Sequence, residues 1–176
     1  MRKCLIIVDY QNDFVNGSLG FSEAAALAPR IAAKIRGYRE SGGDIIFTLD
    51  THGENYSDTQ EGRFLPVLHC LENTPGHELA DEIARLRQET DRCFYKNTFG
   101  SDALYEYLKM TPYEKIELAG LVSNICVLSN AVLAKTAQPE TPIYIDAACT
   151  ASSDHELQEA ALDVMAALQI RIENRK

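Results

Sequence analysis

The sequence predicts a three-layer α/β fold: an open parallel β-sheet of about six strands in the Rossmann-like order 3-2-1-4-5-6, with helices on both faces. Two observations lead there. Short apolar runs such as Leu5-Ile6-Ile7-Val8 alternate with helix-periodic segments along the chain, the pattern of buried strands joined by crossover helices. Residues capable of chemistry recur at the carboxyl ends of those runs, where open α/β sheets bind ligands.

Strands are expected at residues 4–9, 44–50, 92–96, 115–119, 142–146 and 169–173. Between the first two, Pro29 suits a helix's first turn. Ile31, Ile35 and Tyr38 then share a face, and Gly42-Gly43 stops the helix. A helix over 77–88 precedes the third strand, Ser101 caps a short helix after it, and another helix runs from Asn124 to about residue 137. The last helix opens with Ser153-Asp154-His155-Glu156, a capping-box pattern, and should turn Leu157, Ala161, Val164 and Leu168 toward the sheet. Residues 51–75 break the rhythm. They carry no convincing helix or strand, yet they hold Phe64-Leu65-Pro66-Val67-Leu68 and several potential metal ligands, so an ordered, functional loop is expected.

The 176 residues suit one domain spanning 1–176. A net charge of −9 without a basic stripe argues against nucleic acid or an anionic membrane as partner. No run of about 18 apolar residues occurs. The amino terminus enters the first strand without a signal-peptide pattern, so a cytoplasmic protein is expected. Five scattered cysteines without C-x-x-C spacing read as reduced thiols rather than a disulfide framework.

Cys126 stands where the apolar run 116–119 turns into a helix. Helix-start N–H groups favour a thiolate there and can hold the oxyanion formed by its attack on a carbonyl. The alternative is a small buried apolar residue. Asp9, at the first strand's end, can take the thiol proton and return it to a leaving amine, and Lys96, at the third, can stabilise the ionised pair. Their plainer roles are a turn cap and a solvated strand end. Asp146 ends the fifth strand and is expected to shape the same rim. Asp50 and His52 face one side of an extended segment and can share an ion. Imidazole and carboxylate suit Zn²⁺ first, with Mn²⁺ or Fe²⁺ as alternatives. Glu61 and His69 follow in the long loop. Phe14 and Phe99 are candidate pocket walls, Tyr10 and Tyr56 weaker ones; His77 reads as a surface residue.

Asp9-x-Gln-Asn-Asp-Phe14, then Lys96, then Gly120-x5-Cys126-Val127 with Asp146-Ala147 downstream, resembles the isochorismatase-like cysteine hydrolase family over essentially the whole chain. The resemblance implies an Asp9–Lys96–Cys126 triad and a covalent acyl-enzyme. It also implies a cis peptide at Leu121–Val122 and oxyanion donors from the backbone N–H groups of Val122 and Cys126. Asp50-x-His52, Glu61, Leu65-Pro66-x-x-His69-Cys70 and Thr74-x-Gly76 are similar to the metal loop of the nicotinamidase branch. There the Asp, two His and in some members a Glu bind a divalent ion that holds the substrate's ring nitrogen. The chain departs from that branch in having no Trp, in Asn97-Thr98-Phe99-Gly100-Ser101 after the lysine, and in Ser123-Asn124 before the cysteine. The expected function is therefore a metal-containing cysteine hydrolase that cleaves a small planar amide to acid and ammonia, in a homo-oligomer. The alternatives are another amide, carbamoyl or ester hydrolase of the family, a Cys-His hydrolase using His52 or His69 as base, or a non-catalytic ligand-binding module.

Overall fold

The computed structural model describes residues 2–175. In chain order the elements are β1 (Lys3–Val8), α1 (Asn12–Val15), α2 (Ser22–Ala25), α3 (Ala28–Glu40) and β2 (Asp44–Asp50). Next come a 3₁₀ turn (Tyr56–Asp58), α4 (Gln60–Phe64), a second 3₁₀ turn (Pro75–His77), α5 (Asp81–Ala84), β3 (Arg92–Lys96) and α6 (Asp102–Met110). Then follow β4 (Lys115–Leu121), a π-turn (Ser123–Val127), α7 (Leu128–Ala137), β5 (Ile143–Ala151), α8 (His155–Ala167) and β6 (Arg171–Glu173). The sheet is parallel throughout, with spatial order β3-β2-β1-β4-β5-β6, as the alternating pattern predicts.

Side chains along β1 alternate between two cores. Leu5 and Ile7 join Ile31 and Ile35 of α3 and Ile83 of α5 on one face. Cys4, Ile6 and Val8 meet Leu104 and Leu108 of α6, Ala131 of α7, and Leu162 and Met165 of α8 on the other. Each fully buried aliphatic chain of this kind contributes roughly 1.5–3 kcal/mol. Pro29 lies in the first turn of α3, and Ser101 caps α6 by accepting from the Leu104 N–H at 3.1 Å. Gly120, at φ +120°, lets β4 approach β1: a Cβ there would lie 2.1 Å from the Val8 carbonyl oxygen.

Five expectations are corrected. Asp146 does not end β5, which runs on to Ala151 through an irregularity: Leu118 pairs with Ile145, but Gly120 pairs with Thr150. Asp146 instead accepts from the Ala148 N–H at 2.9 Å and pairs with Lys34 of α3 at 2.6 Å, away from the rim. In α8 the sheet-facing residues are Ala161, Leu162 and Met165, while Leu157, Val164 and Leu168 are exposed. Two apolar stripes share Ala161, and periodicity does not choose between them. The cap is Asp154, accepting from the Leu157 N–H at 3.0 Å, not Ser153. Residues 77–88 are not one helix, because Leu79 is drawn into an antiparallel bridge with Gln11, and the Ala80 N–H donates to the Tyr10 carbonyl at 2.9 Å. The loop 51–75 contains a helix after all: α4, capped by Thr59 through the Gly62 N–H at 3.0 Å.

Candidate active site

The carboxyl ends of β1, β2, β3 and β4 bring Asp9, Asp50, Lys96 and the Cys126 turn together. Asp9 follows β1 with φ 47°, a left-handed conformation that Asp tolerates better than most residues. Its two carboxylate oxygens are held apart in role. Thr48 Oγ1 donates to Oδ1 at 2.6 Å, and Lys96 Nζ sits 2.6 Å from Oδ2. The same ammonium lies 3.6 Å from Cys126 Sγ and 3.3 Å from Asp50 Oδ1, and donates to the Thr98 carbonyl at 2.9 Å. All three members of the predicted constellation are buried.

Electrostatics of this cluster are dominated by burial. It pushes the Cys126 thiol well above its ordinary range, the Asp9 charge adds to that, and Lys96 opposes. Burial also raises the Asp9 carboxyl, again against Lys96. For Lys96, burial disfavours the charge, but Asp9, Cys126 and Asp50 more than compensate and raise it. A π-turn (Ser123–Val127), not an α-helix start, surrounds Cys126. The Cys126 thiol is in hydrogen-bonding reach of Asp9.

The second cluster joins β2 to the long loop. His52 Nε2 is 2.9 Å and His69 Nε2 3.4 Å from Asp50 Oδ2, and the two imidazoles are 3.8 and 3.7 Å from Glu61 Oε1. One donor atom from each of the four residues falls within 4.8 Å of every other. Ligands on a tetrahedral Zn²⁺ with bonds of 2.0–2.2 Å stand about 3.4 Å apart. The donor set and spacing therefore fit a divalent ion. His69 Nδ1 donates to the Val67 carbonyl at 2.7 Å, which leaves Nε2 as the lone-pair donor toward the cluster. Burial works against the Asp50 charge, yet hydrogen bonds from His52 and His69 and the charge of Lys96 hold the carboxyl far below its usual range. Tyr56 packs on both imidazoles, with ring centroids 4.7 and 5.0 Å away, and its hydroxyl donates to the Leu65 carbonyl. Cys70 lies in the apolar core and is no part of the cluster.

Both clusters open on one cavity of about 260 Å³, lined by Asp50, Glu61, His69 and Cys126 together with Phe14 and Phe99. Phe14 is buried and stacks edge-on against His69 at 5.6 Å, whereas Phe99 is 44% exposed at the mouth. Tyr10 is a core residue whose hydroxyl donates to the Ala24 carbonyl. His77 is half-buried rather than on the surface, with Nε2 2.8 Å from Thr51 Oγ1. The cis peptide falls at Leu121–Val122, and the Val122 backbone lines the cavity next to Cys126. A larger depression, about 590 Å³, lies at the opposite end of β2 among the ion pairs Arg2–Asp44 and Arg39–Asp91 and contains none of these groups.

Several positioning residues escaped the sequence reading. Gln11 clamps the backbone of Asp50: its Oε1 accepts from the Asp50 N–H and its Nε2 donates to the Asp50 carbonyl, each at 2.8 Å. Asp13 accepts from the Cys70 N–H at 2.7 Å and so fixes the residue beside His69. Asn130 Nδ2 donates to the Cys126 carbonyl at 2.8 Å and to the Phe99 carbonyl at 3.1 Å, tying the π-turn to the loop after Lys96. Thr48 had a visible signal, as a lone hydroxyl inside Ile45-Ile46-Phe47-Thr48-Leu49.

Residues 3–174 match the isochorismatase domain family. The pyrazinamidase of Pyrococcus horikoshii in complex with zinc superposes with a TM-score of 0.85 at 27% identity over 98% of each chain. The nicotinamidase/pyrazinamidase of Bacillus subtilis superposes with a TM-score of 0.87 at 27% identity, over 99% of this chain and 100% of that one. The nicotinamidase/pyrazinamidase of Mycobacterium tuberculosis is 27% identical over 97% of each chain. Fold, strand order and family match together establish that the chain belongs to the isochorismatase family.

Proposed function

We propose that this protein is a metal-containing cysteine amidase that hydrolyses a small planar amide, with nicotinamide the first substrate to try. The observation that carries the reading is that one cavity is lined by Cys126, with Asp9 and Lys96 behind it, and by Asp50, Glu61 and His69 of the donor set that His52 completes. A divalent ion in that set supplies a Lewis-acid anchor for a lone pair on the substrate. Asp9 takes the Cys126 proton as sulfur attacks the amide carbon. A base with a raised pKa suits that transfer near neutral pH. The backbone N–H groups of Val122 and Cys126 receive the developing oxyanion. Asp9 then gives its proton to departing ammonia and draws one from the water that hydrolyses the thioester. Lys96 keeps the pair compact by facing both Asp9 and Cys126. His52 and His69 are both turned to Asp50 and Glu61, which leaves Asp9 as the base. The cavity lining includes Asp50, Glu61 and Asp154 and no Lys or Arg, which favours a neutral amide over an anionic substrate.

The test is ammonia release from nicotinamide by zinc-supplemented protein. Cys126→Ala should abolish it, and Asp9→Asn should lower kcat by about 10²–10⁴ with the fold retained. Turnover at the parent rate in either variant rejects the mechanism.

A further inference from the structure

Most polar groups lining the active-site cavity are already engaged. Asp50, Glu61 and His69 belong to the metal-binding cluster, Ser152 Oγ accepts from the Asp154 N–H at 3.1 Å, and Asp154 caps α8. Ser153 is exposed. Asn124 differs from all of these. It stands two residues before the nucleophile in the π-turn, half-buried in the cavity wall. Its Oδ1 is enclosed, yet no described residue donates to it, and none bonds its Nδ2. Two other enclosed amides of the site are held at both ends: Gln11 by the Asp50 backbone, and Asn130 by the Ser101 N–H at 3.0 Å and the Cys126 carbonyl. Buried amide oxygens are nearly always paired, because an unpaired one opposes folding. With no bond to fix its rotamer, the Asn124 amide is free to turn to a bound molecule. The leaving nitrogen is not its partner. Asp9, which must protonate that nitrogen, does not line the cavity and lies behind Cys126, so the cavity receives the acyl part of the substrate. Around Asn124 the wall is otherwise apolar, with Leu19, Phe21, Ile125 and Leu157. In such a setting a ligand without a matching group leaves the amide unpaired, which is how a polar side chain discriminates between otherwise similar substrates.

We propose that Asn124 is a specificity-determining residue: its side-chain oxygen accepts a hydrogen bond from an N–H or O–H group on the acyl part of the substrate. The preferred substrate is then an aromatic amide whose ring carries an amino or hydroxyl substituent. The inference rests on the amidase reading and deepens it, naming the acid that the enzyme releases and leaving the bond-breaking steps as they stand.

Zinc-supplemented protein is tested with pyridine-3-carboxamide, its amino derivative at each open ring carbon, and the methyl derivative of each as a control of similar size, reading ammonia release. Trying every position leaves the direction of the substituent to the measurement. At one position or more, the amino-to-methyl ratio of kcat/KM should be about three- to tenfold higher in the parent than in Asn124→Leu. Comparing the same two compounds across two proteins cancels the effect of the substituent on the carbonyl. Calorimetry on Cys126→Ala, with and without Asn124→Leu, should show the same difference in affinity without chemistry. Asn124→Leu should melt no lower than the parent, because leucine removes an unpaired oxygen; a clearly lower melting temperature overturns the premise that the amide is unpaired. Equal ratios in the two proteins at every position overturn the assignment, while ammonia released from the unsubstituted amide leaves the amidase reading standing. Folded protein that hydrolyses none of the compounds overturns the amidase reading, and calorimetry then decides Asn124 by itself: equal affinity ratios, or no binding, overturn its role.

Discussion

Thr48→Val isolates the positioning of the base. The substitution keeps a β-branched side chain of nearly the same shape in β2, so strand propensity and packing are retained. It removes the hydroxyl that donates to Asp9 Oδ1 at 2.6 Å and leaves Lys96 on Oδ2. A hydrogen bond to a charged group contributes about 1.5–3 kcal/mol. If that donor orients the carboxylate for proton transfer, kcat/KM should fall about 10–150-fold. The orphaned buried oxygen should also destabilise the fold by about 1–3 kcal/mol, or about 2–4 °C in Tm per kcal/mol. Thr48→Ser separates the two effects: it restores the hydroxyl and loses a methyl group, so activity should return while a deficit of about 1 kcal/mol persists. Ammonia release and thermal melts of the three proteins decide the matter. Parent-like kcat/KM in Thr48→Val, or equal loss of activity in Thr48→Ser, would refute the role assigned to the hydroxyl.

Three further outcomes are expected. Gly120→Ala meets both a left-handed backbone and the Val8 carbonyl 2.1 Å from the new Cβ, so urea melts should show a loss of several kcal/mol, on the order of 2–4; an unchanged midpoint rejects the close approach of β4 to β1. Metal analysis after dialysis against zinc should find about one equivalent per chain, lost in His69→Ala; full retention of zinc in the variant would remove His69 from the ligand set. Burial works against the charges of Glu117 and Asp146, yet Lys34 holds both carboxyls below their ordinary range. Because the folded values lie below the unfolded ones, about 3.9–4.3, this stabilisation is fully present above that range, starts to fall there and is lost as pH drops on through the lower folded values. Lys34→Met should therefore destabilise by about 3 kcal/mol at pH 7 and by markedly less at pH 3; an equal deficit at both pH values refutes the linkage.

The legible part of the site was the part attached to strand ends. Asp9, Asp50 and Lys96 each close or follow an apolar run, and a parallel sheet places all such ends on one rim. Strand order puts Asp50 between the other two, and the length of the Lys96 side chain carries its ammonium across β2 to Asp9. Asp146 misled for an instructive reason. A strand's end is a property of its pairing, and β5 continues by pairing Thr150 and Ala151 with Gly120 and Leu121 of β4. The partners that hold the reactive groups were hidden more deeply. Gln11 and Asn130 act through contacts 39 and 31 residues away in the chain, and nothing local distinguishes them from other polar residues; Thr48 is marked only as a lone hydroxyl in an apolar strand.

Local sequence determined the alternation of buried strands and helices, the chemical identity of the nucleophile, base and cation, and the imidazole–carboxylate character of the loop, because these depend on short-range periodicity and side-chain type. Tertiary structure decided how those groups behave. Burial raises the Cys126 thiol above its ordinary range, with the Asp9 charge adding and Lys96 opposing, although a helix-start setting by itself favours thiolate. Packing of Leu162 and Met165 against the sheet rotated α8 so that Leu157 faces the cavity. Which of two apolar stripes faces the core is settled by the shape of its neighbours, and that information is spread over the whole chain.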